Sequence, residues 1–243
     1  MQTGPPMPHQ DIITTSQGLS QRTPWCLFLA LYLLSVLVLG LAAGLVPGPL
    51  DVDSAYYLLL ARSMAQGRGL VVDAMWHYFQ PAASFPQPAG DLWLPVPALL
   101  MAPAMGLGAT FRHAQIAQVL LAALLPLLAL RIARDEGATL SWAGLAALMT
   151  LLAGTVTVHW LDTDCYTAYA LVGGGALYAM GRAARDSRWF VAGGALGGLA
   201  AVTRNDGLLL LVVLWLVAFL FHRRNRQPFP WKALFLGTAL FLL

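Results

Sequence analysis

Charge is what this sequence has least of. Asp, Glu, Lys and Arg together supply 10% of its 243 residues, against 58% apolar, and the mean hydropathy is +0.68. A soluble domain carries roughly a quarter to a third of its surface as charge, so this composition excludes one and implies an integral membrane protein. Cysteine is nearly absent too. Cys26 and Cys165 fall on opposite membrane faces in the topology below, which leaves neither a disulfide framework nor a thiolate metal site. The sequence also lacks a phosphate-cradling glycine-rich loop, a zinc-ligand spacing and a soluble nucleotide-binding pattern, and nothing in it points to nucleic acid. A secretory signal is excluded because the first apolar run starts late, at Trp25, and outlasts a signal core.

What the chain has instead is apolar runs. A hydrocarbon core of about 30 Å takes about 20 apolar residues per helix, and runs approaching that length fall at 26–46, 113–130, 138–158, 165–181, 190–203 and 206–221. A last run, 231–243, is too short to cross, so the chain reads as the N-terminal part of a longer protein. The fold expected over 25–243 is all-α, a polytopic membrane helix bundle of about six to seven spans, preceded by a disordered cytoplasmic tail over 1–24 that is rich in Pro, Gln, Ser and Thr. Gly173-Gly174-Gly175, Gly193-Gly194 and Gly197-Gly198 lie inside these runs, where small residues let helices approach closely.

The net charge of +3 conceals an asymmetry that sets orientation. With the N-terminus cytoplasmic, Arg22, Arg131, Arg134, Arg182, Arg185, Arg188, Arg223, Arg224, Arg226 and Lys232 fall inside, leaving Arg62, Arg68, Arg112 and Arg204 outside. Asp51, Asp53, Asp73, Asp91, Asp162, Asp164 and Asp206 all fall outside. The stretch 92–107 is apolar enough for a span, but counting it as one would invert every later loop, and Pro95, Pro97 and Pro103 oppose a regular helix through the bilayer. It reads as an amphipathic helix on the outer interface. The implied location is a plasma (inner) membrane, with the acidic face outward.

The first outer loop, 47–112, is the longest polar interval. Asp53 or Ser54 is placed to cap a short surface helix running to about Gln66, with Tyr57 and Ala61 on one face and Gly67-Arg68-Gly69 as its stop. Asp51 and Asp53 stand two apart in what reads as extended chain, so their carboxylates share a side. That placement suits accepting a proton from a nucleophile, or holding a divalent cation such as Mg or Mn through oxygen ligands. The plainer alternative makes Asp53 a helix cap and Asp51 a loop charge, and the residues alone favour it. In the second outer loop, His159 to Tyr166, Asp162 and Asp164 could complete an active-site floor or join Asp51 and Asp53 at a metal. Alternatively Trp160 and Tyr166 form an interfacial aromatic belt and the two acids serve the next helix N-terminus. His77 and His159 read as interface residues, since neither has a second His at metal-site spacing.

The series Asp53, Tyr57, Ala61-Arg62, Gly67-Arg68-Gly69, Pro88 and Leu92-Trp93-Leu94-Pro95, followed by an apolar interfacial helix, resembles the first periplasmic loop of the polyprenyl-phosphate-dependent C-type glycosyltransferases. These include the aminoarabinose and protein O-mannosyl transferases. Further on, Ala195 to Gly207, with Thr203-Arg204-Asn205-Asp206-Gly207 at its end, is similar to a turn common in that superfamily, and the likeness runs in order from about Leu45 onward. The resemblance implies a membrane helix bundle of that fold and transfer of a sugar from a polyprenyl phosphate to a lipid, glycan or protein hydroxyl on the outer face, with inversion. Asp53 matches the family's catalytic carboxylate, and an acid in the second loop, Asp162 or Asp164, would face the cavity. A carboxylate at a helix N-terminus is stabilised as the anion, which favours orienting the acceptor over removing its proton outright. The aminoarabinose type has a Glu-Lys pair before a Pro-Pro, whereas Pro86, Gln87 and Ala89 stand here. The lipid phosphate then needs another ligand, for which Arg204 is the first choice, with Asp91 and Arg112 as further outer-face candidates around the substrate. The alternative for Arg204 is a simple pair with Asp206 at a helix junction. Two other classes fit the composition: a secondary transporter, since charges and glycine-broken helices also mark substrate paths, and a non-catalytic assembly protein.

Overall fold

A computed structural model describes residues 23–74, 84–90, 93–225 and 228–243. The predicted tail lies almost wholly outside them, as do Asp91 and His77. The described chain is mostly helical, and three of its helical stretches are long and apolar enough to cross a membrane: Trp25–Ala43, Phe111–Asp135 and Asn205–Arg224. They mark the chain as a membrane protein.

Helix α1, Trp25–Ala43, carries no charged residue, and tightening turns at Gly44, Leu45 and Val46 close it before Pro47. Arg112 finishes that end, donating from Nη1 to the Ala43 and Val46 carbonyls at 2.8 and 3.0 Å, a cation set against the negative pole of a helix. Helix α2, Val52–Ala65, is the expected loop helix, and Gly67 and Gly69 stop it at φ +73° and +77°, values that glycine adopts without strain. A two-residue antiparallel ladder, β1 (Val71–Val72) with β2 (Gln87–Pro88), ties the rest of the loop to α2. The stretch read as an interfacial helix is α3, Val96–Met105, whose ten residues rise about 15 Å. It packs on α2 and on α4, Phe111–Ala122.

Two predicted spans come out subdivided. The run from Phe111 is broken at Ala123-Leu124, where Pro126 sits in the first turn of α5, Leu125–Asp135, a place that needs no N–H. The run expected at 138–158 is cut by Gly154 at φ +64° into α6, Leu140–Leu151, and α7, Thr155–Trp160. Helix α8, Tyr166–Ala183, has 18 residues, but its tyrosines, glycines and Arg182 leave it less apolar than the three long stretches. Helix α9, Trp189–Ala201, leads through a 3-10 turn, Asn205–Leu208, into α10, Leu209–Asn225, and then α11, Trp231–Leu242.

The glycines of α9 do what their positions suggest. A Cβ on Gly194 would run into the Gly237 carbonyl of α11, and one on Gly198 would stand 2.6 Å from the Phe241 carbonyl oxygen. Backbones that close leave room for nothing larger than hydrogen. This contact anchors the core of α8 to α11 around Phe190, Met180 and Leu214, while a second core joins α2, α3 and α4 through Tyr56, Leu60 and Met101.

Candidate functional site

The start of α2 is built around acids, with roles divided differently from the sequence expectation. Asp51, not Asp53 or Ser54, is the N-cap: its Oδ1 accepts from the Ser54 N–H and the Ser54 hydroxyl, each at 2.8 Å. Asp53 is the second residue of the helix. The two carboxylates therefore do not stand side by side on extended chain, because Asp51 is extended and Asp53 already helical.

Asp162 turns out to be a clamp. It is 1% exposed, and its Oδ2 accepts from the Leu50 N–H at 3.2 Å and from the Ser54 hydroxyl, while Oδ1 accepts from the Thr163 N–H at 2.7 Å. Thr163 donates in return from its hydroxyl to the Ser54 carbonyl at 2.9 Å. Two glutamines of α4 complete the fastening, Gln115 donating to the Leu161 carbonyl at 3.0 Å and Gln118 to the Asp164 carbonyl at 3.1 Å. The second loop is thus bolted to both α2 and α4, and both carboxylate oxygens of Asp162 are engaged by the fold.

Beside this clamp lies a cavity of about 330 Å³. Asp53 and Tyr57 enter it from α2, one helical turn apart, so a single face of that helix presents both. Trp93 and Leu94 close one wall, Asp164 and Tyr166 another, and the turn from Thr203 to Asp206 a third. Four residues singled out in the sequence, Asp53, Tyr57, Asp164 and Arg204, therefore share one cavity although they come from three distant parts of the chain. Asp164 is only 3% exposed, and its Oδ1 accepts the Cys165 N–H. Burial lifts its carboxyl above the ordinary value of 3.8; the Cys165 hydrogen bonds oppose this, and the Asp51 and Asp53 charges add to it. Burial likewise pushes the Tyr57 phenol well above its usual range, reinforced by Cys165, Asp164 and Asp53, so Tyr57 acts here as a neutral hydroxyl donor.

Of the two roles considered for Arg204, the structure shows the junction pair. Its Nε donates to both Asp206 oxygens at 3.0 Å, forming the junction pair, while the guanidinium also lies over the Tyr166 ring at 5.3 Å and the Tyr169 ring at 5.9 Å. Its side chain is 38% exposed, open to the cavity. Such a cation, held from behind by a carboxylate and from the side by aromatic faces, has its planar fork fixed in orientation at the cavity.

The remaining candidates fall elsewhere. Asp91 lies outside the described residues, and Arg112 serves the end of α1, bonded also to Gln115 Oε1 at 2.7 Å. His159 packs edge-on against Tyr166 at 5.5 Å, and both cysteines are free, Cys26 exposed and Cys165 buried. Among the described residues no three His, Cys, Asp or Glu side chains gather where they could hold a metal ion. The reason is visible for the four acids considered together: Asp51 is spent on Ser54 and Asp162 on Leu50, Thr163 and Ser54. Sequence reasoning did not assign Trp93, Tyr166 and Asp206 to the site itself. The signal for the first was its place in the Leu-Trp-Leu-Pro series, and for the other two their adjacency to Asp164 and Arg204. Comparison of the chain with protein-family models, with curated proteins and with solved structures finds no match in any of the three.

Proposed function

We propose that this protein is a membrane glycosyltransferase that moves a sugar from a polyprenyl-phosphate donor to a lipid, glycan or protein hydroxyl at the outer face of a plasma (inner) membrane. The observation that carries the reading is the meeting of Asp53 with Arg204 in one cavity, flanked by Tyr57, Trp93 and Tyr166. Sugar transfer from a phosphate needs a group that accepts a hydrogen bond from the incoming hydroxyl and a cation for the departing phosphate. Aromatic walls suit the apolar faces of a sugar ring.

In this reading the acceptor hydroxyl, aligned by Asp53, attacks the anomeric carbon from the side opposite the phosphate. The new carbon–oxygen bond forms as the bond to the phosphate oxygen breaks, so the anomeric configuration inverts. The electron pair leaves on the lipid phosphate, where Arg204 stabilises the added charge, and the hydroxyl proton passes to Asp53 and then to the phosphate or solvent. Tyr57 donates to a sugar oxygen, and Asp164 stands on the adjoining cavity wall. A divalent cation is not required by these steps. The sequence likeness to C-type glycosyltransferases points the same way, and the six-to-seven-span topology with a cytoplasmic N-terminus belongs to the same proposal.

The test is transfer of radiolabelled sugar from polyprenyl-phosphate donors in membranes containing the full-length protein, beside Asp53→Asn at equal abundance. A loss of about 10²–10⁴-fold is expected. Undiminished transfer by the variant would remove Asp53 from the chemistry; no transfer from any donor by a folded, inserted parent would transfer the weight to substrate transport.

A further inference from the structure

A second cavity, about 890 Å³, lies at the opposite end of the bundle. Its walls are the turn between α8 and α9, with Arg185 and Ser187, the Phe221 side chain near the end of α10, and the segment Phe229 to Lys232 that starts α11. The one acid on the wall, Asp186, is already neutralised: Arg188 donates to it from its N–H at 3.1 Å and its Nε at 3.2 Å. Arg185 and Lys232 therefore leave the cavity net positive. Arg185 is loosely held, reaching the Asp135 carbonyl at 3.2 Å and Glu136 at 3.3 Å or more, and Lys232 is exposed and makes no ion pair among the described residues. The first turn of α11 adds backbone donors on the same wall, since Lys232 and Ala233 precede the first residue that bonds back into the helix, Leu234 to Pro230.

The level of this cavity narrows what it would take. Phe221 is three residues short of Arg224, the end of an apolar stretch able to cross a membrane, so the cavity opens where that stretch ends. Trp231 packs against Phe229 at 4.4 Å and stacks on Phe235 at 5.6 Å, an aromatic group of the kind found at headgroup depth. Cations beside interfacial aromatics at the end of a span form the setting in which anionic headgroups bind. We propose that this cavity is a binding site for a phosphate-bearing anion, held by Arg185, Lys232 and the first N–H groups of α11, and supplied by an acidic phospholipid of the surrounding leaflet. The proposal is independent of sugar transfer.

The full-length protein, purified in detergent, is titrated with phosphatidylglycerol, with phosphatidylcholine or with inorganic phosphate while its melting temperature is followed. Phosphatidylglycerol raises the melting temperature saturably, as a ligand of the folded state must, and phosphatidylcholine does not. Lys232→Glu, on an exposed side chain that the fold does not use, weakens the apparent affinity at least about fivefold, and Arg185→Gln with Lys232→Gln removes it. If inorganic phosphate gives the same saturable shift, the site stands and its ligand is a soluble phosphate. No shift with either anion, or Lys232→Glu and the double variant binding as tightly as the parent, overturns the proposal.

Discussion

The two ends of this bundle handle charge in opposite ways. At the arginine-rich end charge answers charge: Asp135 accepts from Arg131 at 3.0 Å, from Arg182 at 2.7 Å and from the Tyr178 hydroxyl, and Glu136 meets Arg185. At the acidic end Asp162 and Asp164 are buried with no ion pair among the described residues, and backbone N–H groups and hydroxyls surround them instead. Among the described residues the cation lining the cavity is Arg204, and it pairs with Asp206. Burying carboxyl groups without counter-charge is costly unless hydrogen bonds satisfy them, as they do for Asp162. The arginine end pairs its charges; the acidic end buries two carboxyl groups and satisfies them by hydrogen bonds alone.

The sharpest way to break that comparison is to remove one acid from each end and measure transfer. Asp53→Asn should abolish it by the factor given above, whereas Glu136→Gln, at the far end, should leave it unchanged when measured at matched protein abundance. The next largest effect is on stability. Asp162→Ala takes the acceptor from the Leu50 and Thr163 N–H groups at once, leaving Ser54 only Asp51, so a loss of about 3 kcal/mol is expected in thermal or denaturant unfolding of the purified protein. A loss below about 1 kcal/mol would mean that the second loop is not clamped to α2 as described.

The division between ends was legible in the sequence because it rests on counting: most of the Lys and Arg fall at alternate loops and most of the Asp at the others. The start and stop of α2 were legible to within three residues, and so was the close approach of α9, since glycine at 194 and 198 has few other uses inside an apolar helix. The identity of the cap was not. Asp51 and Asp53 differ by one step of chain geometry, and the choice is made by Ser54, whose hydroxyl is drawn to Asp51 and Asp162 together. Nor could the sequence separate Asp162 from Asp164. They stand two apart, but Leu50 and Ser54, more than a hundred residues away, engage the first and leave the second facing the cavity. The breaks at Ala123-Leu124 and Gly154 were hidden for the opposite reason: hydropathy runs straight through them, while Pro126 and a positive φ interrupt the hydrogen-bond ladder.

Asp164 allows the comparison to be sharpened by pH. Its carboxyl titrates higher in the folded protein than the ordinary 3.8 because of burial first and the neighbouring acids second. An acid with a raised folded value favours folding while protonated, so its contribution is complete below about 3.8 and declines as pH rises through the folded value. The melting temperature should therefore carry a component that falls as pH rises above that point, and Asp164→Asn should flatten it, because the amide keeps the shape and cannot ionise. A slope unchanged in the variant would assign the pH dependence to other groups.

The smallest effect belongs to the outermost pair. Arg185 and Glu136 meet at 3.3 Å with side chains 58% and 65% exposed. Water screens such a pair and both long side chains lose freedom in forming it, so Glu136→Gln should change stability by no more than about 0.5 kcal/mol, and the change should shrink in high salt. The same substitution frees Arg185 from its competing carboxylate. Phosphatidylglycerol should then bind no more weakly, and a modest gain would fit a guanidinium turned from Glu136 toward the cavity. A clear loss of stability would mean that this end is not the plain ion-pair scaffold set against the acidic end above, since the outermost charge would be carrying weight that exposed pairs do not ordinarily carry.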